Sequence, residues 1–92
     1  MMHIVIWDID AERISQIDKN LNRALNELGL RAVVASNAEP LSLERENLLP
    51  RLPVLEINGL YWSLTPGKVF SKEQCKSLLR RLQDNKSGNR QA

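Results

Sequence analysis

Positions 3–9 are almost all apolar, with Ile4, Val5, Ile6, Trp7 and Ile9 interrupted only by Asp8 after the leading His3. A short run of this kind suits a strand buried on both faces, as at the centre of an α/β sheet. Beyond Asp10 the period changes. Ile14, Ile17, Leu21, Leu25 and Leu28 recur at steps of three and four, which places them on one face of a helix over 11–28. Asp10 is suited to cap that helix, Glu12 favours its first turn, and Gly29 is suited to end it. Residues 31–36 read as a second short strand. Strand, long helix and strand together imply a parallel pair joined by a right-handed crossover. Residues 37–40 are expected to form a loop, with Ser42 capping a short helix over 43–49 that Pro50 limits.

The second half is patterned differently. Val54-Leu55-Glu56-Ile57, then Asn58-Gly59, then residues 60–64 read as a two-residue hairpin, because Asn-Gly supplies the positive φ angles of a type I′ turn. The register pairs Ile57 with Leu60, Glu56 with Tyr61 and Leu55 with Trp62. It therefore puts Leu55, Ile57, Leu60, Trp62 and Leu64 on one face that must be covered. The expected cover is a final helix opened by a Ser71/Gln74 capping box, with Cys75, Leu78, Leu79 and Leu82 on its apolar side. Residues 84–92 are polar and are expected to be a flexible tail outside a domain over 1–83. The order is β-α-β-α-β-β-α, an α/β chain. Its expected four-stranded mixed sheet has the order 2-1-3-4, with the first and last helices on one face and the middle helix on the other.

Ninety-two residues allow one core. Thirteen basic and eleven acidic residues leave a net charge of +2, too weak and too scattered to imply nucleic acid. No apolar run reaches the roughly 20 residues that span a membrane, and no leader sequence is evident, so a cytoplasmic location is expected. The single cysteine, Cys75, excludes an internal disulfide and a multi-cysteine zinc site. Its spacing with three leucines makes it a core residue rather than an exposed thiol.

That order, with Pro53 opening the third strand, carries a resemblance over about residues 2–82. The stretches that carry it are the first strand and the helix ending Ala24-Leu25-Asn26-Glu27-Leu28-Gly29, then Leu52-Pro53-Val54-Leu55-Glu56-Ile57-Asn58-Gly59, Gly67-Lys68-Val69 and Ser71-Lys72-Glu73-Gln74. On these the chain resembles the small thioredoxin/glutaredoxin-like redox proteins of archaea and bacteria. The resemblance implies a thioredoxin-like fold and a cis Leu52–Pro53 bond, with backbone beside it that pairs with extended substrates. It also implies a C-x-x-C where the first strand meets the first helix, and there the sequence departs. Ala11-Glu12-Arg13-Ile14 stand at those positions, and neither alanine nor isoleucine can form a thiolate.

What remains is a binding or assembly module without dithiol chemistry. Its expected groove is formed by Asp10, Ala11, Glu12, Arg13 and Ile14 against Leu52 and Pro53, with the Pro66-Gly67 loop nearby. The expected partner is a protein or peptide, and an open sheet edge also offers a homodimer contact. No cofactor or resident metal is implied. An alternative of another class is a ligand- or metal-binding enzyme using Asp8, Asp10 and Glu56, since ligands of open α/β sheets bind beyond the carboxyl ends of the strands. Against it, Asp10 has a cap to make, Asp8 can simply end a strand, and Glu56 is expected to pair with Tyr61 or an arginine. The D-x-D also resembles the opening of a response-regulator receiver, although the chain is too short for five βα units.

Overall fold

The computed structural model describes residues 2–91, with side chains described through residue 83. Strand β1 (Met2–Trp7) is followed by helix α1 (Ala11–Leu28), strand β2 (Ala32–Asn37), helix α2 (Pro40–Arg45) and a single 3₁₀ turn at Leu49–Arg51. Strands β3 (Val54–Ile57) and β4 (Leu60–Ser63) and helix α3 (Lys72–Gln91) complete the chain. The four strands form one mixed sheet in the order β2-β1-β3-β4. β1 runs parallel to β2 and antiparallel to β3, and β3 and β4 form the hairpin. The receiver alternative is thereby corrected: its sheet is parallel, whereas two of the three strand pairings here are antiparallel.

Alternation along the strands sorts the core into two layers. Ile4 and Ile6 of β1 and Leu55 and Ile57 of β3 point to the side where Ile17, Leu21, Ala24 and Leu25 of α1 meet Cys75 and Leu79 of α3, with Phe70 closing the end. Trp7 and Val54 point the opposite way, to Leu43 of α2 and to Leu48 and Leu52. The outer helices thus share one face and α2 the other. Asn58 and Gly59 take φ of 51° and 88°, the left-handed pair that the hairpin needs, and the strand register is the one anticipated.

Three expectations are corrected. β1 stops at Trp7 rather than Ile9, because the Asp8 carboxylate accepts from the N–H of Ile9 (2.8 Å) and bends the chain, leaving Ile9 exposed. Helix α2 begins at Pro40, not 43, with Glu39 rather than Ser42 as its cap. The Glu39 carboxylate accepts from the N–H groups of Leu41 (3.1 Å) and Ser42 (2.8 Å). The hairpin face is only partly covered. α3 lies against α1, held by Lys72 and Lys76 donating to Glu27 at 2.8 and 2.9 Å, so Leu60 and Leu64 stay exposed. Helix α3 runs through Gln91. Extending a helix already docked through Cys75 and Leu79 costs little per residue, which is why polar residues 84–91 follow it. Ala92, the end of the expected tail, lies outside the described residues. No described helix is long and apolar enough to cross a membrane.

Candidate functional site

The carboxyl end of β1 turns into α1 through Asp8, Ile9 and Asp10, and the two aspartates do different work. Asp10 is the helix cap: its Oδ1 accepts from the backbone N–H of Glu12 and of Arg13, both at 3.0 Å. Four N–H groups at a helix start lack internal partners, and one short carboxylate answers two of them. Asp8 is fully buried. Arg13 reaches back from the first turn of α1 and donates Nε to Oδ2 and Nη2 to Oδ1, each at 2.7 Å. This is the bidentate fork that suits a guanidinium to a carboxylate. The same hydrogen bonding is the main reason the Arg13 guanidinium is held above its ordinary value.

The ion pair commits the polar groups of the turn to one another. Asp8 has both oxygens engaged, and Asp10 is committed to the helix. Glu56 belongs to the other layer of the sheet, where its Oε1 accepts from the Trp7 indole Nε1 at 2.9 Å. Opposite Val5 in the register, Glu56 stands three residues from Asp8 along β1, about 10 Å at strand rise. Asp8, Asp10 and Glu56 therefore do not converge, and among the described residues no group of three acidic, histidine or cysteine side chains could hold a metal ion. The expectation that Glu56 pairs with Tyr61 or an arginine is corrected too. Tyr61 donates instead to Glu46 (3.1 Å) and stands edge-on to Trp7, with ring centres 6.4 Å apart. Burial first, then the Glu46 contact, pushes the Tyr61 hydroxyl above its ordinary value.

Across the sheet, the Leu52–Pro53 peptide is cis and both residues are buried. The β1–β3 register ends at the Trp7–Val54 pair, which leaves Asp8 and Pro53 each one residue beyond it. The backbone beside the proline is partly engaged already, because the Leu52 carbonyl accepts from the Gly67 N–H at 2.8 Å. The Pro66-Gly67 loop is thus fastened to the Pro53 turn. Ala11 and Ile14 face the other way. With Ser15, Asp18, Ala35 and Ser36 they line an open cleft of about 300 Å³ between the start of α1 and the edge strand β2. Exposed Ile9 and Glu12 flank the same turn.

Cys75 lies in the core between α1 and α3, where burial pushes its thiol up to about 11. It is fully buried, on the helix whose first turns are clamped to Glu27 near the end of α1. A second cleft of similar volume lies on the opposite side of the molecule. It is bounded by Trp62 and Leu64 of the hairpin and by Ser77, Leu78 and Arg81 of α3. Sequence reasoning missed both this cleft and the Asp8–Arg13 pair. The pair had a signal in D-x-D-x-x-R, since Arg13 on the first turn of a helix can fold back over the strand end. The cleft had none, because it depends on which way α3 leans. No protein-family model matches the chain, and no curated protein matches its sequence.

Proposed function

We propose that this chain is a cytoplasmic thioredoxin-like module that binds an extended protein or peptide segment and performs no disulfide exchange. The observation that carries this reading is the Asp8–Arg13 ion pair, which occupies the strand-to-helix turn where the resemblance calls for two thiols. Support for the thioredoxin-like part comes from the β2-β1-β3-β4 order and the helices on both faces. Support for the absence of thiol exchange comes from the one cysteine, buried and with its thiol shifted upward. A turn filled by a structural ion pair does not need to react; it can present a fixed surface.

That surface lies on the β2 side of the turn. β2 is an edge strand whose outer backbone groups can take another strand, and the cleft holding Ala11 and Ile14 runs alongside it. Exposed Ile9 offers an apolar anchor at its end. Panning the full chain against a display library of random peptides, and mapping the recovered peptides by amide shifts, tests this. Perturbations are expected at residues 9–14 and along 34–36. Peptides that shift only residues outside this turn, or a library that yields no binder, would refute it.

A further inference from the structure

Helix α3 uses one side to meet α1 and turns another toward the outer side of the hairpin. On that second side Glu73, Ser77 and Arg81 all line the cleft beside Trp62 and Leu64. Spaced four apart, they form one line along the helix, with an acid at one end, a base at the other and a small residue between. A line of this kind complements its own reverse. When two copies meet antiparallel about an axis through Ser77, each Glu73 faces an Arg81, twice over.

The strand beside the cleft is suited to the same axis. β4 is bonded to β3 on one side only. In a two-residue hairpin closed by a hydrogen-bonded Ile57–Leu60 pair, alternation turns the backbone N–H and C=O of Tyr61 and Ser63 outward. Edge strands are ordinarily guarded by charge or proline, and Leu60-Tyr61-Trp62-Ser63 has neither. On its cleft side Leu60 and Leu64 are 58% and 52% exposed. Because Trp62 and Ser77 border one cleft, a single two-fold axis can pass both.

We propose that the chain forms a two-fold homodimer in which β4 pairs antiparallel with the β4 of a second copy. The two sheets then become one, and Glu73 and Arg81 make two reciprocal ion pairs across the joined clefts. The alternation of charge selects this occupant. An acidic or a basic peptide would match one end of the line and be repelled by the other, whereas a second copy matches both. Self-association through β4 is independent of any ligand held at the β1–α1 turn, which lies toward the opposite edge.

Sedimentation of the full chain across a concentration series at low salt tests the proposal, alongside Glu73→Arg, Arg81→Glu and the double reversal. All these side chains are exposed, and circular dichroism verifies that each variant keeps the fold. The wild type is expected to dimerise as concentration rises. Each single reversal places like charges at both contacts and is expected to raise the dissociation constant at least about tenfold, and the double reversal to return it to within about threefold of wild type. Hydrogen exchange on the wild type needs no variant, and it should slow with concentration at the Tyr61 and Ser63 amides. A wild type that stays monomeric at every concentration, a double reversal no better than the singles, or protection confined to β2 would overturn the proposal.

Discussion

Arg13 is the side chain that lets Asp8 stay buried. A carboxylate taken out of water needs its charge answered and its lone pairs filled, and here two parallel N–H bonds from one guanidinium do both. Arg13→Ala leaves Asp8 inside with only backbone partners, so unfolding in urea is expected to show a loss of about 3 kcal/mol, the lower end for breaking a buried pair from one side. Arg13→Lys should restore only part, because an ammonium cannot reproduce the fork. A loss below about 1 kcal/mol for Arg13→Ala would mean the pair behaves as an exposed one. Cys75 is expected to resist thiol reagents at pH 8 in the folded chain and to react once denaturant is added, since its thiol stands at about 11 and no water reaches it. Rapid labelling of the native chain would contradict that burial. At this scale the sequence spoke unevenly. Asp10 as a cap and Cys75 as a core residue were legible from spacing. Asp8 was not, because its role depends on an arginine folding back over the turn. Glu56 was not either, because its partner Trp7 sits diagonally across the neighbouring strand.

Among the elements, the most specific tie is the one between α1 and α3. Glu27 receives Lys72 and Lys76 together, and these two hydrogen bonds hold its carboxyl down at about 2 against an ordinary 4.5. A carboxylate whose value is depressed in the fold contributes above the ordinary value and loses that contribution as pH falls through the depressed one. The clamp is therefore expected to be complete above about pH 4.5 and to dissolve toward pH 2. Carbon-detected titration of the Glu27 carboxyl should show its midpoint near 2, whereas a midpoint near 4.5 would mean the two lysines do not hold it. This clamp also explains why the hairpin was harder to place than to recognise. Asn58-Gly59 announces the turn and its register through the φ angles it permits. What lies over the hairpin depends on where α3 leans, and the charges that pull it onto α1 are forty-five and forty-nine positions apart in the chain. The start of α2 was obscured for a local reason, because Glu39 took the capping place that the shorter side chain of Ser42 was expected to fill.

For the whole molecule, alternation along the strands and the three-four rhythm of α1 were enough to give the sheet order and the two-layer core. Both depend on which faces are apolar, and burial enforces that regardless of detail. The site was less legible than the scaffold. The residues of the 10–14 turn are together in the fold, but Ala11 and Ile14 look toward β2 while Pro53 is joined to the Gly67 loop. Whether these residues form one groove with Leu52 and Pro53 depends on long-range packing that spacing along the chain does not encode. The proposal turns on an ion pair standing where the resemblance places a reactive dithiol. Reduction of insulin disulfides by the full chain in the presence of dithiothreitol, followed by turbidity, tests this most directly. Rates equal to those of dithiothreitol alone are expected, for the wild type and for Cys75→Ser alike. Acceleration by the wild type that disappears in Cys75→Ser would contradict the claim.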